Sequence, residues 1–254
     1  MSISADTVDY REGACIECGS PTKHERFTGM FAETLNDHPL ICPGCSARQQ
    51  EAFERDEQDS NTRRDGRVFA EKLQTLPPSL RSWRLEQLDT TGRAQALDAA
   101  RRWAEGELPG LVLIGDVGRG KSTIAAAASA EYIGRHLDSP TPRWISTVAA
   151  INDLSRGFND RRRIDAMDAL DSKRAPLILD DIDKTRPNAS SAAIVFGAID
   201  SCITHRRPLL ASTNLMPDKL VSAWPAPHGE AIASRLAGYC ELHRVSGPDR
   251  RLHG

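Results

Sequence analysis

The stretch Leu111-Val112-Leu113-Ile114-Gly115-Asp116-Val117-Gly118-Arg119-Gly120-Lys121-Ser122-Thr123 decides how this chain is read. Four apolar residues form a short strand and run into a loop with the spacing G-x-x-x-x-G-K-[ST], after which an Ala-rich segment to His136 reads as a helix. Each residue type has a physical reason to stand where it does. The glycines let the backbone wrap, so that successive N–H groups point inward and cradle an anion. The helix starting near Gly120 adds its positive end. Lys121 supplies a point charge for β- and γ-phosphates, and Ser122 a hydroxyl for Mg²⁺. The nine residues Gly115, Asp116, Val117, Gly118, Arg119, Gly120, Lys121, Ser122 and Thr123 are therefore expected to bind ATP with Mg²⁺.

Outward from this loop, strands and helices alternate, the pattern of a parallel sheet with helices on its faces. Further strands are expected at Arg143–Ser146, Pro176–Leu179, Pro208–Ser212 and Cys240–Val245. Helices are expected near Val148–Phe158, Arg162–Lys173, Ala189–Thr204 and Ala231–Leu236. On the N-terminal side, Thr91 is placed to cap a helix running to about Glu107, with Ala96, Leu97, Ala100 and Trp103 on its apolar side. Pro77-Pro78 breaks the chain before this domain. Residues 46–74 are charged, rich in Gln, Glu and Arg, and read as helical; residues 1–45 read as loop-rich.

Leu177-Ile178-Leu179-Asp180-Asp181 is an apolar strand ending in two acids, which places both at the ligand crevice of a parallel sheet. Asp180 is expected to hold Mg²⁺, through water. Asp181, on the other side of the strand by alternation, is expected to orient or deprotonate the attacking water. Asn214 follows the fourth strand, where its amide either contacts the γ-phosphate or the water, or caps the helix after Pro217. Arg235 lies on a short helix, either as a surface arginine or as a group reaching a neighbouring subunit's nucleotide. Arg250 and Arg251 are a weaker choice for the same contact. Phe158, Arg161, Arg162 and Arg163 form an aromatic and basic group that either meets single-stranded nucleic acid or is a solvated loop. Trp144 reads as core.

The 254 residues carry a net charge of −2, which conceals an asymmetry: residues 1–60 hold 12 acidic and 5 basic residues, the remainder 23 and 28. The acidic front is a poor nucleic-acid grip by itself. It also contains Cys15-Ile16-Glu17-Cys18 and Cys42-Pro43-Gly44-Cys45. Two such turns present four thiolates, from Cys15, Cys18, Cys42 and Cys45, to one tetrahedral ion, the pattern of a closed structural zinc site. Gly19 and Gly44 suit the tight turns, and His24 and His38 are surplus to a complete shell. Cys202 and Cys240 fall in expected core elements. The polar N-terminus MSISADTVDY has no apolar leader, and no stretch is long and apolar enough to span a membrane, which points to the cytoplasm.

Taken in order, Gly115–Thr123, Leu177–Asp181, Ser212-Thr213-Asn214 and Ala233-Ser234-Arg235-Leu236 resemble the AAA+ ATPases of the replicative helicase loader family, the DnaC/DnaI-like proteins, with IstB-like transposition ATPases as relatives. The resemblance runs from about Leu80 to the C-terminus. It implies an α/β fold with a five-stranded parallel sheet between helices and without a C-terminal helical lid. The expected organisation is a zinc-ribbon-like module over 1–60, a helical linker over 61–78 and an AAA+ ATPase domain over 79–254. It also implies that Lys121, Asp181, Asn214 and Arg235 are catalytic, Asn214 as the sensor and Arg235 as an arginine finger acting in trans. The implied partners are the replicative helicase, docked on the N-terminal module, single-stranded DNA at about Ile151–Arg163, and further copies of the chain in the ATP state. Many family members carry Glu where this chain has Asp181, one methylene shorter. That difference leaves open a nucleotide switch with little turnover, beside the alternative of an IstB-like transposase partner; a small-molecule kinase fits the zinc module poorly.

Overall fold

A computed structural model describes residues 10–26, 38–154, 161, 168, 170, 172–184 and 188–249. The chain divides into two compact units, Met1–Asp65 and Gly66–Gly254.

The first unit opens with strands β1 (Tyr10–Ala14) and β2 (Pro21–Glu25), paired antiparallel with Tyr10 opposite Glu25 and Ala14 opposite Pro21. This hairpin replaces the loop expected there. Its residues are mostly polar and exposed, so no apolar alternation announces it. Between the strands Gly19 takes a φ of 74° and donates its N–H to the Cys15 carbonyl at 2.8 Å, closing the turn. Helix α1 (Pro43–Leu73) begins at the second cysteine pair, and from Ser46 to Arg67 every side chain on it is exposed.

In the second unit, α2 (Ala94–Ala104) precedes β3 (Gly110–Ile114). The cap of α2 is not Thr91 but Arg93, because the Thr91 hydroxyl and N–H both bind the Asp89 carboxylate, at 2.9 and 3.0 Å. Then come α3 (Lys121–Arg135), β4 (Arg143–Ser146), α4 (Thr147–Leu154), β5 (Leu177–Asp180) and α5 (Ala189–Thr204). The unit continues with β6 (Leu209–Thr213), α6 (Pro217–Ala223), α7 (His228–Tyr239) and β7 (Glu241–Arg244). Among the described residues no helix follows β7.

The five strands form one parallel sheet in the order β4-β5-β6-β3-β7. Strand β3 is buried at all five residues, and its alternation divides the core. Leu111 and Leu113 join Leu97, Trp103 and Ile124 on the face covered by α2 and α3. Val112 and Ile114 join Leu177, Leu179, Ile199 and Leu236 on the other, covered by α5 and α7. The small side chains Ala125, Ala126, Ala127 and Ala128 seat α3 closely against the sheet. Cys202 and Cys240 are core residues, and burial pushes their thiols up to about 11 and about 12. Trp144 is half-buried against the first core face. Strand β6 lies between β5 and β3, so the C-terminal ends of all three meet at one edge, where the sequence has placed the loop, the acids and the amide.

Candidate nucleotide site and metal centre

The loop after β3 is tied to the sheet by the Gly115 N–H, which donates to the Thr213 carbonyl at 3.1 Å. Gly118 and Gly120 have φ of 81° and 88°, conformations that other residues adopt only with strain. The described tail packs on the loop. The Val245 carbonyl fills the space a side chain at Gly115 would need, and the Asp249 carboxylate does the same at Gly118. The Arg119 guanidinium donates to the Gly247 carbonyl. Asp116 is exposed, 3.7 Å from the Arg119 guanidinium. A cleft of about 270 Å³ lies here, lined from the loop by Val117, Gly118, Gly120, Lys121, Ser122 and Thr123, and from the strand ends by Asp181, Lys184 and Asn214, with Leu80 from upstream.

Lys121 is 5% exposed and its ammonium donates to three oxygens: the carbonyls of Gly115 at 2.7 Å and Asp116 at 3.0 Å, and Asn214 Oδ1 at 2.7 Å. Burial lowers its pKa, opposed by the charges of Asp181, Asp183 and Asp180. Asn214 in turn gives its backbone N–H and its Nδ2 to the two carboxylate oxygens of Asp183, each at 2.8 Å. Asn214 is thus part of the cleft, and the helix α6 is capped by Met216 without a side-chain bond.

Asp180 ends β5 and accepts from Ser122 Oγ at 2.9 Å and Ser212 Oγ at 2.6 Å. Burial raises its pKa against those two hydrogen bonds. The strand takes in Asp180 but not Asp181, which leaves it with a φ of 56°. Strand alternation therefore does not aim Asp181; the turn does. Its N–H donates to Ser212 Oγ at 2.8 Å and its carboxylate accepts from Lys184 at 2.5 Å. Ser212 thus joins the two acids, one through a side chain and one through the backbone. It is fully buried, so Ser212→Ala strands the Asp181 N–H and leaves the Asp180 oxygen with one hydroxyl donor, Ser122, in place of two. A loss of about 1–3 kcal/mol in denaturant unfolding is expected, and an unchanged midpoint would remove Ser212 from this account.

In the first unit, Cys15, Cys18, Cys42 and Cys45 bring their sulfurs within 4.8 Å of one another, with Cys18 and Cys42 at 3.7 Å. Four thiolates around tetrahedral zinc at about 2.3 Å lie about 3.8 Å apart, so the set fits the ion. The Cys42 backbone N–H draws the Cys15 thiol down to about 6. Arg48, with a guanidinium nitrogen 3.0 Å from the Cys45 sulfur, pulls that thiol down, but burial and the three other cysteines push it up to about 12. A dication relieves this crowding of charge. His24 is engaged elsewhere, with Nε2 2.7 Å from the Ile41 carbonyl oxygen.

No known family model matches the chain, and no curated protein does. Solved structures do. DnaI superposes with a TM-score of 0.56 at 20% identity, covering 69% of this chain and 94% of that one. The DnaC helicase loader gives 0.57 at 16%, covering 67% and 100%. The replication initiator DnaA bound to AMPPCP and single-stranded DNA gives 0.56 at 18%, covering 68% and 51%. The fold is that of an AAA+ domain. A four-cysteine cluster that fits a metal ion precedes it.

Within this fold Arg235 is not brought to the loop. It pairs with Asp200 at 2.8 Å and lies over the Phe196 ring at 5.1 Å, half-exposed. Such a pair is worth about 0–1 kcal/mol, little enough to be exchanged for another partner. Arg161 is exposed, while Phe158, Arg162, Arg163, Arg250 and Arg251 lie outside the described residues. Sequence reasoning assigns Ser212, Asp183 and Lys184 no role at the site. Their one local signal is position, at or just after a strand whose end carries an acid or an amide.

Proposed function

We propose that the chain is an ATP-hydrolysing loader of the replicative DNA helicase in bacterial or phage replication. The observation that carries this is the meeting of Lys121, Asp181 and Asn214 in one cleft, beside Ser122 and Asp180, on the fold of the DnaI and DnaC structures. Lys121 gives up its three oxygen partners to the β- and γ-phosphates, and the loop N–H groups receive the rest of the triphosphate. Ser122 and Asp180 would hold Mg²⁺, which would supply charge neutralisation along the phosphates. Asp181 orients the attacking water or takes its proton. Arg235 exchanges Asp200 for the nucleotide of a neighbouring copy.

The organisation we propose is a module over 1–60 that binds zinc and docks on the helicase, a linker over 61–78, and an ATPase domain over 79–254 that associates with its copies in the ATP state. Single-stranded DNA meets the stretch after β4. No helix among the described residues is long and apolar enough to cross a membrane, in keeping with a cytoplasmic place of action. The test is affinity capture by the full chain with ATP and Mg²⁺. Recovery of the replicative helicase, lost on mutation of the zinc cysteines, is expected. Recovery of a transposase without helicase refutes the loader reading in favour of an IstB-like one.

A second reading has one observation in its favour. The Lys184 ammonium occupies one oxygen of the Asp181 carboxylate at 2.5 Å, in competition with an attacking water, which suits a nucleotide switch that binds ATP and scarcely turns it over. Single-turnover hydrolysis, with and without single-stranded DNA, separates the two.

A further inference from the structure

Asp183 lies in the turn after β5. Its neighbour Ile182 is fully buried in the second core cluster and donates its N–H to the Ser212 carbonyl at 3.0 Å. The turn is therefore anchored against β6, and the Asp183 carboxylate meets the residue just beyond that strand. Both its oxygens are used, one on the Asn214 backbone N–H and one on Asn214 Nδ2. On the opposite side of the same amide stands the Lys121 ammonium, 2.7 Å from Oδ1.

These two neighbours leave the amide a single orientation. A carboxylate only accepts hydrogen bonds and an ammonium only donates them. The NH₂ must face Asp183 and the carbonyl oxygen must face Lys121; rotation of the amide by half a turn would set donor against donor and acceptor against acceptor.

We propose that Asp183 is a positioning residue that locks Asn214 with an acceptor, its carbonyl oxygen, facing the nucleotide cleft. This rests on the reading of the cleft as an ATP site. In that site the locked oxygen holds the Lys121 ammonium before a phosphate takes it, and then receives an O–H of the attacking water. Asn214 then acts on the water and makes no donor contact to the γ-phosphate.

The test uses the full chain, ¹⁵N-labelled on asparagine, with ATP turnover and fluorescent-nucleotide binding measured alongside. In wild type the Asn214 side-chain amide protons, assigned with Asn214→Ala, are expected to exchange slowly. Asp183→Ala should release them, lowering kcat about tenfold with nucleotide affinity within about threefold. In an Asn214→Ala background the same change should cost much less, within about threefold in kcat, since the orienting effect passes through the Asn214 amide and only the backbone bond at 214 and the charge near Lys121 remain to be lost. Asp183→Asn, which keeps the volume and one carbonyl oxygen, guards against a folding defect and is expected to release the amide as well. Equal loss of kcat in both backgrounds, or amide protons that exchange slowly without Asp183, overturns the proposal. If wild type binds ATP without turnover, the hydrolysis reading fails, and amide exchange still decides the lock. Release in both Asp183 variants supports it.

Discussion

Lys121→Ala is expected to abolish ATP turnover and to weaken ATP binding by at least about a hundredfold, the worth of one or two charge-assisted hydrogen bonds to phosphate. The reason lies as much in what surrounds the ammonium as in what it would grip. It is nearly buried, and it satisfies two loop carbonyls and Asn214 at once. Three carboxylates, Asp180, Asp181 and Asp183, stand close enough to raise its pKa against burial. Without it, a triphosphate would meet an acidic cleft with no buried cation from the loop. Lys121→Arg should not restore function, because a planar, bulkier guanidinium cannot occupy a space shaped by three oxygens around a point charge. Calorimetric titration with ATP and Mg²⁺ reads the affinity. Alanine at 121 binding ATP as wild type does would remove the phosphate-site interpretation altogether.

Removal of zinc is expected to unfold the N-terminal unit while leaving the second unit folded. Among its described residues only Cys15, Cys45 and Thr22 are buried, and two of those three are ligands of the proposed ion. These described residues supply no apolar core to hold the hairpin, and structural zinc contributes about 10–16 kcal/mol of apparent binding free energy to domains of this kind. The second unit has its own two core clusters and does not depend on the ion. Purified protein should carry one zinc per chain by elemental analysis. A strong chelator, or Cys15→Ser with Cys45→Ser, should lead to rapid amide exchange over residues 10–25, with the melting transition of the second unit unmoved. Slow exchange there in metal-free protein would show that the four cysteines do not build the unit.

The features legible in the sequence are those set by short-range chemistry. Gly118 and Gly120 are written into the loop because its φ angles demand them, and Lys121 and Ser122 because their offsets follow from the turn. The cysteine pairs are likewise local, each a turn presenting two sulfurs. Strands β3, β5 and β6 announce themselves as apolar runs because both faces of the sheet are covered there. The hairpin β1–β2 does not, since its sides are mostly exposed and its side chains polar. The cap of α2 escapes a local reading for a related reason. Thr91 has the right chemistry for a cap, but Asp89, two residues earlier, competes successfully for its hydroxyl.

By itself, then, the sequence determined a glycine-rich loop between strand and helix, two cysteine pairs and an alternation of strands and helices, each a property of residues near one another along the chain. Tertiary structure alone decided the strand order β4-β5-β6-β3-β7, and with it which strand ends share an edge. That order sets Asn214 against Lys121 across 93 residues and Ser212 against Asp180 across 32. It also turns Asp183 from one more acid after β5 into the group that fixes an amide, and leaves Arg235 paired with Asp200 on a neighbouring helix. Hydrogen bonds between distant segments depend on register and on crossovers paid for by burial of the whole sheet, and no local pattern of residues encodes them.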